Sequence, residues 1–201
     1  SAYLVHDLGL VRGDKVAIQL PNLLQYPVVL FGALRAGMTV VNVNPLYTSS
    51  ELKHQLNDAD AKVIIVLANF AGILEGILSE TKLKHVLVTQ IGDMIGGIKG
   101  SLINFAVKYV KKMVPPFSLP NAISLMTALK SGADHEFIQP HIESNDLAFL
   151  QYTGGTTGVS KGAMLSHGNL VANLLQVNAW MKSGGLKEGA EIYITALPIY
   201  H

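Results

Sequence analysis

Short apolar runs alternate along this chain with stretches whose apolar residues recur at helical spacing. Val16-Ala17-Ile18-Gln19-Leu20, entered from Lys15 and closed by Pro21-Asn22, predicts a strand. Apolar positions through 23–36 predict a helix ending at Gly37, a residue suited to a left-handed C-cap. The β-branched stretch Thr39–Val43 predicts a second strand. Ser49-Ser50-Glu51 marks a helix start, with the helix running to about Asp58. Lys62–Leu67 is continuously apolar after its lysine, as in a parallel strand covered on both faces. A helix over about 70–80 and a strand over His85–Thr89 complete the first unit. This alternation predicts the α/β class, with a mostly parallel sheet flanked by helices.

Residues 91–145 break that rhythm. Pro115-Pro116, Pro120 and Pro140 punctuate loops, and an amphipathic helix is predicted over 99–114. Asn104, Lys108, Lys111 and Lys112 would form its polar stripe, with Leu102, Ile103, Phe105, Val107, Tyr109, Val110, Met113 and Val114 covering the remainder. Two readings stand. The helix packs on the core with a solvated lysine face, or the lysines and adjacent apolar groups meet a membrane surface.

The third unit, 146–201, carries the densest chemistry. Tyr152-Thr153-Gly154-Gly155-Thr156-Thr157-Gly158-Val159-Ser160-Lys161-Gly162-Ala163 crowds three glycines and three threonines into six positions, with a lysine shortly after. Glycines let backbone N–H groups converge without Cβ clashes, threonine hydroxyls add donors and can reach a metal ion, and the lysine adds positive charge. That set suits a polyphosphate, foremost that of ATP. Val159 and Ser160 separate Gly158 from Lys161, so the run is not a Walker A loop. Adjacent first glycines also exclude the dinucleotide fingerprint. A ligand-free glycine-rich turn would need fewer glycines and neither Thr-Thr nor Lys. Strand-like flanks at Leu147–Tyr152 and Gly162–Leu165 place the loop at the tip of a hairpin. Ser166 is expected to cap a helix over about 168–182, ended by Gly184-Gly185, with Trp180 on its apolar face. Glu191–Leu197 predicts a last strand that delivers Tyr200 and His201 to its C-terminal end.

Composition narrows the picture. A net charge of +1 provides no basic field for nucleic acid, and the absence of cysteine excludes disulfides and thiol chemistry. No apolar stretch of spanning length and no signal peptide are expected. Charged residues are only 14 % of the chain, the sequence starts without Met and stops just after a strand-like run, so the expectation is a piece of a larger domain with apolar faces left for the rest. Such a piece would self-associate or form a homodimer. His135 and His141, six apart in a Pro-flanked loop, do not suggest a metal site. Asp58 and Asp60 read as a helix–strand turn rather than an acid/base pair.

The glycine–threonine run resembles the phosphate loop of acyl-adenylate-forming enzymes, which include acyl-CoA ligases, luciferases and peptide-synthetase adenylation domains. Leu20-Pro21-Asn22, Leu34-Arg35-Ala36-Gly37, Asn44-Pro45-Leu46-Tyr47, Glu51-Leu52 and Ala196-Leu197-Pro198-Ile199-Tyr200-His201 resemble further motifs in the same order. The whole chain is similar to the bacterial long-chain fatty-acid–CoA ligases of that family. Gly154 and Ser160 depart from the commoner Ser or Thr and Pro at those places. The resemblance implies part of a large N-terminal AMP-binding domain (1–90, 91–145 and 146–201 as its successive units), with the phosphate loop on a β-hairpin. It implies ATP, Mg²⁺ and coenzyme A as co-substrates and cofactor, and activation of a long-chain fatty acid in the cytoplasm, peripheral on the inner membrane. Residues 152–163 would hold the nucleotide phosphates. Lys161, Thr153 and His201 would be catalytic and Thr153 a Mg²⁺ ligand. Acyl tunnel, adenine contacts and mobile C-terminal domain would lie beyond residue 201, leaving this piece alone inactive. Activation of another carboxylic acid, and a non-catalytic nucleotide-binding module, remain open.

Overall fold

A computed structural model describes residues 1–153, 160–183, 189–190, 192 and 194–200. Helix α1 (Ala2–His6) leads into strand β1 (Lys15–Gln19), helix α2 (Gln25–Arg35), strand β2 (Thr39–Asn42), helix α3 (Ser49–Asp58) and strand β3 (Ala61–Leu67). Helix α4 (Ala71–Glu75), strand β4 (His85–Thr89) and helix α5 (Gly97–Phe105) follow. A short strand β5 (Ile123–Ser124), helix α6 (Leu125–Ala133), strand β6 (Leu147–Thr153), strand β7 (Lys161–Ser166) and helix α7 (His167–Ser183) complete the described elements.

The seven strands form one sheet in the order β5-β4-β3-β1-β2-β6-β7, drawing on all three sequence units. Every pairing is parallel except β6 with β7. Both faces of the central strands are buried, which is why they read as unbroken apolar runs. Val16, Ile18 and Leu20 pack on one side with Leu4 of α1, Tyr26 and Val29 of α2 and Leu125 of α6. Ala17, Val41, Ile64 and Val66 pack on the other with Leu52 and Leu56 of α3 and Leu74 of α4. Alternate residues of each strand thus feed two separate cores.

The α/β expectation holds, and the early boundaries fall within a residue or two. Gly37 adopts φ +75° and the Met38 N–H reaches back to the Ala33 carbonyl, closing α2 as foreseen. The helix expected at 70–80 is instead a short α4 between two 3₁₀ turns, Ala68–Phe70 and Leu78–Glu80. Gly72 and Gly76 weaken a continuous helix there. Two elements escaped the sequence pattern: α1, too short to show a period, and α6, inside the stretch taken as irregular.

The lysine-bearing helix differs in extent and orientation. Its regular part, α5, gives way to a π-helical turn at Ala106–Val110, and Lys112 at φ 51° ends it. Asn104 points inward, against the expected polar stripe: its side chain accepts from the Gly92 N–H at 2.7 Å and donates to Asp93 Oδ1 at 2.9 Å. Gly100, one turn earlier on the same side, is buried against Gly92 so closely that a Cβ would lie 2.4 Å from the Gly92 carbonyl oxygen. This contact turns Ile98, Leu102, Phe105 and Tyr109 outward together, and all four are exposed. The lysines are solvated, as the core-packed reading expected, but Leu102, Phe105, Tyr109, Val110 and Met113 are exposed rather than packed on the core.

The strand expected at Glu191–Leu197 is also corrected. The described residues of this segment form no strand, and Ile192 and Ile194 are more than 90 % exposed. β-branched content alone makes no strand where no ladder partner is present. Nor does α7 pack as expected: Trp180 is 81 % exposed, along with Val171, Leu174 and Leu175.

Candidate functional site

The strands flanking the glycine–threonine run pair as the hairpin expectation requires. β6 and β7 pair antiparallel up to Tyr152↔Gly162 and Thr153↔Lys161. The loop therefore springs from the carboxyl end of β6, at the edge where parallel α/β sheets commonly place ligand residues. Gly154, Gly155, Thr156, Thr157, Gly158 and Val159 lie outside the described residues, as do Gly184, Gly185 and His201. Thr153, Lys161 and Ala163 are exposed, Gly162 and Ser160 half-buried and Tyr152 buried.

Lys161 forms no ion pair among the described residues. A cation on an exposed strand end, with no described carboxylate paired to it, fits an anionic ligand. Tyr152 is fixed quite differently. Its hydroxyl donates to Asp58 Oδ2 at 2.5 Å, and its ring lies over Gly162. Burial first, then the Asp58 carboxylate, push its phenol well above the ordinary tyrosine range. Among the described residues no cluster of three His, Cys, Asp or Glu could hold a metal ion. Asp60 is paired with Lys62 and Lys82, and His135 Nε2 lies 2.9 Å from Asp7 Oδ2.

The described part of the second candidate motif, 196–200, reaches the same edge through polar side chains that the sequence reading left without a role. Asn22 Nδ2 donates to the carbonyls of Thr195 and Leu197 at 3.1 and 2.8 Å, and Asn22 Oδ1 accepts from the Ile199 N–H at 2.9 Å. The Tyr26 hydroxyl lies 2.8 Å from Asn42 Oδ1 and 3.1 Å from the Ile199 carbonyl. Asn42 Nδ2 donates to Gln151 Oε1 at 2.9 Å, and Gln151 Nε2 donates to the Tyr200 carbonyl at 3.0 Å. Asn42 and Gln151 are register neighbours on adjacent parallel strands. Burial pushes the Tyr26 phenol up to about 12, so it remains a neutral donor at any physiological pH. The signal was present in the sequence: Asn42 and Gln151 are single amides within apolar strands, where an unpaired amide would be costly.

Beneath Ile199, a recess of about 230 Å³ is bounded by Tyr26, Asn42, Phe149 and Gln151. A larger open groove lies between Arg35, Glu143 and His167. No described residue of the glycine–threonine run lines it, and it is not placed in the candidate site.

The AMP-binding enzyme family model matches residues 1–201, the whole chain. The chain belongs to the AMP-binding enzyme family. It is 56 % identical over 201 residues to the long-chain-fatty-acid–CoA ligase of Escherichia coli O157:H7, covering all of this chain and 36 % of that relative. The chain thus spans little more than a third of the curated relatives it matches. The crystal structure of a long-chain-fatty-acid–CoA ligase from Archaeoglobus fulgidus superimposes with a TM-score of 0.72 at 29 % identity, over 100 % of this chain and 33 % of that one. ATP-bound MatB from Rhodopseudomonas palustris also gives a TM-score of 0.72, at 26 % identity and the same coverage.

Proposed function

We propose that this chain forms the phosphate-binding part of an enzyme that activates a long-chain fatty acid with ATP and passes the acyl group to coenzyme A. The observation that carries the reading is the closure of the hairpin at Thr153↔Lys161, which puts a lysine with no ion-pair partner among the described residues at the base of the glycine–threonine loop.

A fatty acid carboxylate is a poor acyl donor because its oxygen leaves reluctantly. Attack of that carboxylate on the α-phosphorus of ATP expels pyrophosphate and forms an acyl-adenylate. The coenzyme A thiol then displaces AMP to give acyl-CoA. Negative charge grows on the departing β- and γ-phosphates, and donors already aimed there lower the barrier. Backbone N–H groups of 153–158 and the Lys161 ammonium fill that role, and His201 approaches the acyl carboxylate. Mg²⁺, with Thr153 as its ligand from this chain, would supply further charge neutralisation. We place the enzyme in the cytoplasm, peripheral on the inner membrane, with the outward stripe of α5 as the contact. Among the described residues no helix is long and apolar enough to cross a membrane. The uncovered apolar face of α7 supports homodimerisation or self-association of this chain when it is produced alone.

The test is Lys161→Ala in the full-length gene product. A charge-assisted contact contributes about 1.5–3 kcal/mol, so adenylation falls roughly ten- to a hundredfold. A rate within about twofold of wild type removes Lys161 from the role.

A further inference from the structure

Helix α3 holds both arms of the hairpin. Asp58, its last residue, accepts from the Tyr152 hydroxyl on the β6 arm. His54, one turn earlier on the same face, lies with Nε2 3.4 Å from the Ser160 carbonyl, next to Lys161 on the other arm. Tyr152 precedes Thr153 directly, so its phenol is the last side-chain anchor before the glycines begin.

The helix is itself firmly set. Thr48 and Glu51 form a reciprocal capping box: the Thr48 hydroxyl accepts from the Glu51 N–H, and the Glu51 carboxylate accepts from the Thr48 N–H at 2.8 Å. Leu52 and Leu56 are fully buried, and Gln55 Nε2 donates to the Asn42 carbonyl at 2.7 Å, tying α3 to the end of β2. Gly162 completes the fit. A Cβ there would lie 3.0 Å from Cε2 and 3.1 Å from Cζ of Tyr152. The ring can therefore lie flat across the β7 arm with its hydroxyl on Asp58.

We propose that Asp58, supported by His54, is a positioning residue for the phosphate loop, holding Tyr152 and the two hairpin arms where Thr153 and Lys161 must start. Neither residue touches the phosphates. The inference rests on the phosphate-binding reading of the loop, and it assigns a purpose to the motif 44–52: these residues build and cap the helix that aims the loop. A loop fixed before binding loses less conformational freedom when ATP arrives, so the cost of a broken anchor appears in nucleotide affinity.

The experiment compares Tyr152→Phe, Asp58→Ala, Asp58→Asn and the Tyr152→Phe/Asp58→Ala double variant in the full-length protein. ATP affinity is read by calorimetry without acyl substrate, together with KM for ATP and for palmitate and with thermal stability. Tyr152→Phe and Asp58→Ala each weaken ATP binding roughly five- to twentyfold, as loss of one charge-assisted hydrogen bond does. KM for palmitate is unchanged, the double variant is no worse than either single one, and Asp58→Asn recovers most of the affinity because its amide oxygen still accepts from the phenol. Tyr152→Phe removes one hydroxyl from a ring that stays in place, so it carries the test if Asp58→Ala does not fold. ATP affinity within twofold of wild type in Tyr152→Phe overturns the proposal, as does additive loss in the double variant. Lys161→Ala, run alongside, separates the two levels. If it abolishes ATP binding while Tyr152→Phe leaves binding intact, the positioning role alone fails. If neither matters, the phosphate-loop reading fails with it.

Discussion

Single residues at this site are constrained by what stands opposite them. Gly162 is the clearest case, because the Tyr152 ring occupies the space a side chain would need. That ring is buried and its hydroxyl is engaged, so it cannot give way without losing the Asp58 bond. Gly162→Ala should destabilise the fold by about 1–3 kcal/mol, as overpacking of a filled site does. Denaturant unfolding checks this, and an unchanged midpoint would mean the ring is free to move. Tyr26, Asn42 and Gln151 illustrate the opposite constraint: polar groups placed in an apolar layer only because each has a partner. Which amide meets which carbonyl could not be read from the sequence, because the partners lie up to 175 residues apart. The glycine–threonine run was legible because its chemistry is local.

At the scale of elements, local and long-range causes separate cleanly. α3 begins where Thr48 and Glu51 cap it and β4 spans the residues its pattern marks, since both signals lie within the segment. The strand expected at 191–197 does not form among the described residues for the opposite reason: pairing is a property of two segments. α5 shows a third case. Its period was legible and its facing was not, because the choice depends on Gly100 meeting Gly92 and on Asn104 reaching the 92–93 turn. The outward stripe Ile98, Leu102, Phe105 and Tyr109 is accompanied by Lys99, Lys108, Lys111 and Lys112, and no Asp or Glu occurs from Met94 to Ala133. An apolar stripe within a wholly basic segment matches an anionic bilayer surface. Vesicles of mixed phosphatidylglycerol and phosphatidylcholine should sediment the protein. Changing Lys108, Lys111 and Lys112 to Glu should weaken that binding about a hundredfold, at roughly 1 kcal/mol per lysine, and changing Leu102 and Phe105 to Ser should also release the protein. Binding that both variants leave unaltered would remove the membrane contact from the account.

For the molecule as a whole, the central sheet buries two apolar layers while α7 and the 189–200 segment leave large apolar side chains in solvent. Exposed apolar area of this kind drives association. The chain produced alone should show a mass that rises with concentration in light scattering, and a monomer at every concentration would contradict this. The two candidate motifs are anchored at one sheet edge. The loop hairpin arrives from β6, and Asn22, Tyr26 and Gln151 hold the 195–200 segment beside it. The most direct test of that arrangement is ATP–pyrophosphate exchange by the full-length gene product, offered palmitate, acetate or a mixed amino-acid pool separately. Exchange supported by palmitate alone is the predicted result. Exchange supported only by acetate or amino acids would overturn the substrate while keeping the loop assignment, and no exchange with any acid would contradict the adenylation chemistry itself.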